Sequence, residues 1–272
     1  MARFCRRAVG DHVIMADRSW PHAESIVLHI RDRHGKDWIA KHCRREEHFA
    51  QELVAYREWV PALGGLAPTL LGQDERHRTL LLTFEPGEVE TYDGAGTYRQ
   101  AGALIRRFHD AADQRAGDDF VALLAARLDR ALSRGREIFS RRDADFLREQ
   151  LKRLNCLPEP MRVPVHADNQ PRNWLVDTSG TVRLIDFGLS RWDVWIRDLV
   201  RLYYRDWRRE PELQDAFLDG YGRRLHAADL ELLQVLGAIT AVTTVLWARE
   251  RGDAGFESQG WNTLALVRTE AG

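Results

Sequence analysis

The feature that most constrains this chain is the stretch His166-Ala167-Asp168-Asn169-Gln170-Pro171-Arg172-Asn173, followed by Leu184-Ile185-Asp186-Phe187-Gly188. It sets two carboxylates, Asp168 and Asp186, 18 residues apart. Between them lie two short apolar runs, 174–176 and 182–185, joined by the turn formers Asp177-Thr178-Ser179-Gly180. That pattern predicts a β-hairpin. Pairing of its strands brings the ends together, so Asp168, Asn173 and Asp186 meet at one end of a two-stranded ribbon. Two of the three can then hold Mg²⁺, which takes few protein oxygens and leaves places for phosphate and water.

The chain before this ribbon changes character once. Residues 25–30 are rich in β-formers, 32–36 read as a hairpin turn, and 37–42 return as the partner strand. Phe49, Leu53, Tyr56 and Val60 recur at helical steps over 46–60, and Pro61 and Gly64-Gly65 end the helix. Strands are expected around 69–72 and at 79–84, before Glu85-Pro86-Gly87 breaks the chain. Beyond Gly87 the pattern is mostly helical: 98–112 with Leu104, Ile105 and Phe108 on one face, then 120–134 and 143–154, and again after the ribbon. The expected fold is α+β and bilobal. A small antiparallel-sheet lobe with one main helix spans 1–85, and a larger helical lobe spans 86–272.

Composition excludes several classes. The 40 basic and 41 acidic residues nearly cancel, which argues against a nucleic-acid binder. Cys5, Cys43 and Cys156 are few, odd in number and widely spaced, so neither a zinc site nor a disulfide framework is expected and a reducing cytoplasm fits. Positive charge at the N-terminus has no apolar stretch behind it, so it does not read as a signal peptide. The longest uncharged run, 232–248, is short for a bilayer span and reads as a buried helix, so no membrane partner is expected.

Only three of the basic residues are lysines: Lys36, Lys41 and Lys152. Where Arg is the default cation, a retained Lys suits a place that needs a compact ammonium. Lys41 ends a predicted strand. Phosphoryl transfer needs such a cation for the phosphates, together with a metal and a group that takes the proton of the acceptor hydroxyl. Glu52, on the following helix, is placed to pair with Lys41; Glu46 and Glu47 are the competing partners.

In this order the residues resemble the aminoglycoside phosphotransferase and choline kinase branch of the protein-kinase-like fold. The family's His-Gly-Asp, four residues, then Asn is similar to His166-Ala167-Asp168…Asn173, and its Ile-Asp-Phe/Trp to Ile185-Asp186-Phe187. Its Glu-x-x-x-Tyr-Arg resembles Glu52…Tyr56-Arg57, and its apolar run ending in Pro-Gly resembles residues 80–87. Leu104-Ile105-Arg106-Arg107-Phe108-His109 and Asp198-Leu199 match two further motifs, so the likeness runs in order from about residue 25 to about residue 202.

The resemblance implies roles. Asp168 is the expected catalytic residue, which accepts or orients the proton of the acceptor hydroxyl. Asn173 and Asp186 are the expected Mg²⁺ ligands. Lys41, paired with Glu52, is expected on the α- and β-phosphates, and backbone groups of Thr83, Phe84 and Glu85 on adenine. His166 is expected to support the loop and Asp198 to brace it. ATP is the implied nucleotide, with GTP possible.

Three departures stand out. Ala167 replaces a Gly and asks for a slightly different backbone. Arg172 is new beside the metal site, where it touches phosphate or points to solvent. The phosphate-covering loop, expected near 18–25, has no glycine, and Ser25 stands for the family's serine there.

The acceptor side is expected after Gly188. From 191 to 272 the chain has 11 arginines against 13 acids, intermixed, so nothing there singles out a polycation. Among the nine tryptophans, one or two are candidates to stack on a planar acceptor. The expected activity is O-phosphorylation of a hydroxyl on a small-molecule antibiotic of aminoglycoside, nucleoside or peptide type, conferring resistance, by a monomer or homodimer. The alternatives are a kinase for a choline-like, amino-alcohol or sugar metabolite, and a nucleotide-binding pseudokinase. No Ala-Pro-Glu follows Asp186-Phe187-Gly188, which disfavours a protein acceptor.

Overall fold

A five-stranded antiparallel sheet of order β1-β2-β3-β5-β4 forms the first part of the chain. Its strands are β1 (His12–Asp17), β2 (Ser25–Asp32), β3 (Asp37–Cys43), β4 (Leu70–Asp74) and β5 (Thr79–Thr83). The computed structural model describes residues 1–20, 24–89, 94–117, 119–154 and 159–271. Cys156 and residues 21–23 of the expected phosphate loop lie outside them.

The β2–β3 hairpin forms because Asp32 organises its turn. Its carboxylate accepts the backbone N–H groups of His34 and Lys36 and the Trp38 indole N–H. Gly35 takes φ 81°, which only glycine adopts freely. The register pairs Lys41 with Val27 on one side and Leu80 on the other, so Lys41 sits on a central strand.

Helix α1 (Ala2–Val9) and strand β1 add to what the sequence predicted, which began its strands at residue 25. Cys5 on α1 packs with Ile30, Trp38, Ala40 and Leu81, so α1 covers one face of the sheet. Strand β1 escapes prediction because it lies on the edge. Val13, Ile14 and Met15 are all exposed in succession, without the alternation that marks a half-buried strand.

Helix α2 (Glu46–Val54) begins with Glu46 and Glu47, which suit the positive end of its dipole. It continues through a π-turn (Ala55–Trp59) and a 3₁₀ turn (Val60–Leu63), and Gly64 and Gly65 end it at φ 62° and 84°. Phe49, Leu53, Tyr56 and Val60 are all buried, as their spacing predicts.

The remaining elements are α3 (Gly94–His109), α4 (Phe120–Arg134), α5 (Arg141–Arg153), β6 (Val163–Val165), β7 (Trp174–Val176), β8 (Val182–Leu184), β9 (Arg191–Asp193), α6 (Pro211–Tyr221), α7 (Ala227–Arg251) and α8 (Ala254–Ala271). By backbone contacts the chain forms two compact units. The first is Met1–Ala112 with Pro164–Arg191 and Ala216–Gly222; the second is Asp113–Val163 with Trp192–Asp215 and Arg223–Gly272.

The second unit is helical and is built on α7 and α8. Helix α7 is long and apolar enough to cross a membrane by length and composition alone, and 67% of its most apolar window is buried in the protein. Among the described residues three of the unit's tryptophans carry arginines: Arg115 lies 3.7 Å from the Trp192 ring centroid, Arg223 4.2 Å from that of Trp195 and Arg251 4.4 Å from that of Trp247. Trp247 packs edge-on against Phe256.

Candidate active site

Strand β3 and helix α2 bring a cation and a carboxylate together inside the first unit. Lys41 Nζ lies 2.7 Å from Glu52 Oε1, with the two side chains 7% and 1% exposed. The same ammonium lies 2.7 Å from Asp186 Oδ1. Glu52 thus wins over Glu46 and Glu47, which are exposed on the first turn of α2. Cys43, two residues along the strand and so on the same face, places Sγ 3.6 Å from Glu52 Oε2. Gly188 closes the group: a Cβ there would stand 3.5 Å from both Asp186 Oδ1 and Glu52 Oε2.

Charge and burial oppose each other at this group. Burial works to lower the Lys41 pKa, but Asp186 and Glu52 outweigh it and hold it well above the ordinary lysine value. Burial raises Glu52 despite the ammonium beside it. Crowding by the protein also works against the charge of Asp186, yet Lys41 prevails and pulls its pKa down to about 2. The Asp186 side chain remains 47% exposed. Burial, helped by the Glu52 charge, pushes the Cys43 thiol up to about 12.

The predicted ribbon exists. β7 and β8 pair antiparallel with Trp174 opposite Leu184, and the Ile185 N–H donates to the Asn173 carbonyl at 3.0 Å. This bond brings Asn173 level with the residue before Asp186. His166 ties the loop to the ribbon from the other side: Nε2 donates to the Ile185 carbonyl at 3.0 Å, and Nδ1 accepts the Asp168 N–H at 3.4 Å. Both ring nitrogens are therefore engaged in holding backbone. Phe187 is fully buried, stacked on Phe108 and edge-on to Tyr56. It anchors Asp186 between α2 and α3.

Two residues of this loop hold a left-handed backbone without being glycine: Ala167 at φ 63° and Asp186 at φ 65°. The alanine stays in the region that a glycine takes freely, and the neighbouring bonds hold it there.

Three side chains donate to the Asp168 carboxylate. Gln170 Nε2 reaches Oδ1 at 2.7 Å; Asn173 Nδ2 and Arg172 Nη2 reach Oδ2 at 2.9 and 3.0 Å. Arg172 therefore turns onto the carboxylate, where the sequence had left phosphate or solvent as its direction. Gln170 was missed altogether. The 3₁₀ turn Pro171–Asn173 is what swings these side chains back toward residue 168.

Around β5 the expected base-binding segment is held by its own network. The Thr83 N–H donates to the Thr69 carbonyl at 3.0 Å, so that amide is committed within the sheet. Thr83 Oγ1 donates to Glu85 Oε1 at 2.7 Å, and Glu85 Oε2 lies 3.3 Å from Arg183 Nε on β8. Phe84 stacks on His29 with centroids 4.3 Å apart. Ser25 opens β2 opposite Cys43. Asp198 is a buried residue of the second unit, at the end of the 3₁₀ turn Trp195–Asp198.

A family model described as the phosphotransferase enzyme family matches residues 19–235, most of the chain. The protein belongs to this phosphotransferase family. A comparison with curated proteins returns no match. Among solved structures, this phosphotransferase is similar to a thermostable mutant of aminoglycoside phosphotransferase APH(4)-Ia, with a TM-score of 0.73 at 15% identity over 100% of both chains. The macrolide 2′-phosphotransferase MphH from Brachybacterium faecium gives 0.68 at 16% identity, over 96% of this chain and 95% of that one. The GDP and kanamycin complex of APH(2″)-IIia gives 0.71 at 14% identity, over 99% and 98%. The phosphotransferase thus has the α+β, protein-kinase-like fold, with an antiparallel N-terminal sheet and a helical C-terminal part.

The family implies a divalent metal, and the donor chemistry fits one. Among the described residues no group of three His, Cys, Asp or Glu side chains could hold a metal alone. Asn173 Nδ2 is occupied by the carbonyl and Oδ2 of Asp168 at 2.8 and 2.9 Å, which leaves Oδ1 as the acceptor of that amide. One amide oxygen and the half-exposed Asp186 carboxylate make a hard, incomplete oxygen set. That suits Mg²⁺, which completes its shell with phosphate and water, and does not suit a structural zinc.

Proposed function

We propose that this phosphotransferase moves the γ-phosphoryl group of a nucleoside triphosphate, ATP first and GTP second, onto a hydroxyl of a small-molecule antibiotic. The observation that carries this reading is the group Lys41–Glu52–Asp186, joined through the β7–β8 ribbon to the gripped carboxylate of Asp168. A strand lysine fixed by a buried glutamate is suited to bind phosphates. A carboxylate fixed by amide donors is suited to receive a proton.

Lys41 offsets the charge of the α- and β-phosphates, and Glu52 fixes its reach. Backbone groups of Thr83, Phe84 and Glu85 contact the base, with the Thr83 N–H spent within the sheet. Asn173 Oδ1 and Asp186 would hold Mg²⁺, which when bound supplies charge neutralisation across the β- and γ-phosphates. Asp168 orients the acceptor hydroxyl and takes its proton as the hydroxyl oxygen bonds to the γ-phosphorus. The β–γ bridging bond breaks, and its electrons leave on the nucleoside diphosphate. His166 keeps the loop on the ribbon. The added phosphate carries a charge of about −1.5 to −2 at neutral pH, which would spoil a drug's fit to its target.

The test is incubation with ATP, Mg²⁺ and a broad antibiotic panel, read by mass spectrometry. Asp168→Asn should cut turnover by about a hundredfold or more while nucleotide binding persists. No phosphorylated member of the panel removes the antibiotic assignment. The second reading, a metabolite kinase, is favoured by the intermixed charges of 191–272, 11 arginines against 13 acids, which single out no polycationic acceptor. A phosphorylated product in a metabolite extract would select it.

A further inference from the structure

The Asp168 side chain is 7% exposed and is met by donors from Gln170, Arg172 and Asn173. A carboxylate that takes a hydroxyl proton must first admit that hydroxyl to hydrogen-bond distance. Asn173 and Arg172 already share Oδ2, so a hydroxyl that approaches Oδ2 must displace one of them. Gln170 and Asn173 are buried, and Asn173 also holds the Asp168 carbonyl. The Arg172 side chain is 42% exposed, so it has solvent to move into. Its charge is also felt at Asp186.

Taking Asp168 as the proton acceptor, as proposed above, we infer that Arg172 determines specificity on the acceptor side. The acceptor hydroxyl reaches Asp168 by displacing the Arg172 guanidinium, and the group beside that hydroxyl is neutral or anionic, not an ammonium.

A displaced guanidinium stays tethered a few bonds away. An ammonium beside the hydroxyl would meet a like charge. A carboxylate, phosphate or carbonyl would instead receive the planar fork of donors that Asp168 has just released.

The test uses water and three small alcohols in place of the acceptor: glycolate (anionic), ethylene glycol (neutral) and ethanolamine (cationic). In each case the oxygen bonds to the γ-phosphorus, the β–γ bridging bond breaks with its electrons on the diphosphate, and the proton passes to Asp168 and then to solvent. ATP consumption with Mg²⁺ is measured for the wild type, Arg172→Gln, Arg172→Lys and Asp168→Asn. With water alone, Arg172→Gln should consume ATP about threefold faster than the wild type, because the carboxylate is open. In the wild type, consumption should rank glycolate above ethylene glycol above ethanolamine, with about threefold or more between the extremes. Arg172→Gln should erase that order and Arg172→Lys should keep it.

Ethanolamine equal to or above glycolate in the wild type overturns the inference, as does an order that survives in Arg172→Gln. Slower hydrolysis in Arg172→Gln also overturns it, by making Arg172 a phosphate contact. Asp168→Asn consuming ATP at the wild-type rate, or a wild type that consumes none, removes the proposed transfer from ATP through Asp168 and the inference with it.

Discussion

Lys41 and Glu52 meet at 2.7 Å with almost no exposure, so neither charge can turn to water if the other is lost. Removing one partner of a buried pair leaves an uncompensated charge and costs about 3–5 kcal/mol. Lys41→Met should show that loss in urea unfolding. The double variant Lys41→Met/Glu52→Leu should recover most of it, since the charge that remains, Asp186, is 47% exposed and can turn to water. A single variant as stable as the double one would contradict the buried pairing.

Asp186 gives the pair a pH dependence in the protein without nucleotide. Its pKa is depressed to about 2 by Lys41, against the crowding that would raise it. A depressed carboxylate adds stability that is complete above its unfolded value, about 4, and is lost as pH falls toward its folded one. The stability difference between wild type and Asp186→Asn should be flat above about pH 5 and should shrink between about pH 4 and 2. Urea midpoints across that range measure it. A difference that shrinks near neutral pH instead would show that Asp186 is not held by Lys41.

Much of this site was readable in advance because its signals are local. The turn formers 177–180 between two apolar runs foretold the β7–β8 ribbon, and the ribbon delivers Asn173 beside Ile185. The spacing of Phe49, Leu53 and Tyr56 fixed which face of α2 is buried, and Glu52 lies on that face. The grip of Arg172 and Gln170 on Asp168 was not readable. It depends on the 3₁₀ turn Pro171–Asn173, and no periodicity announces a single turn. Strand β1 was missed for a different reason: an edge strand with Val13, Ile14 and Met15 all exposed carries no alternation.

Ala167 holds φ 63° directly before Asp168. An L-residue in this region costs about 1–2 kcal/mol, which glycine avoids, while glycine adds unfolded-state entropy. The strain is the larger effect, so Ala167→Gly should stabilise the protein by about 0.5–1 kcal/mol and leave turnover in place. Ala167→Val should do the reverse, because a β-branched residue tolerates positive φ poorly. Thermal unfolding of the three proteins decides; a destabilised Ala167→Gly would mean the strain is absent.

Cys43 lies two residues from Lys41 yet should be chemically silent. Burial, reinforced by Glu52, holds its thiol near pKa about 12, so almost no thiolate exists at pH 8. Iodoacetamide at pH 8 should leave Cys43 unmodified in the native protein and alkylate it fully in urea, as mapped by peptide mass spectrometry. Rapid native labelling would place Cys43 in a more open and electropositive setting than the Glu52 carboxylate allows.

Glu85 and Arg183 connect the end of β5 to the ribbon that carries Asn173 and Asp186. Their side chains are 15% and 17% exposed, and Asp177 Oδ2 completes the bridge at 2.7 Å from Arg183 Nη1. A partly buried, shared arginine of this kind couples its partners more strongly than a surface pair. A double-mutant cycle with Glu85→Gln and Arg183→Met should give a coupling of about 1–2 kcal/mol in urea unfolding. The same bridge sets the proposed base-binding segment against the residues proposed to hold the metal, so each single variant should raise the KM for ATP several-fold with kcat little changed. If kcat falls and KM holds, the bridge orients Asp168 and not the nucleotide base.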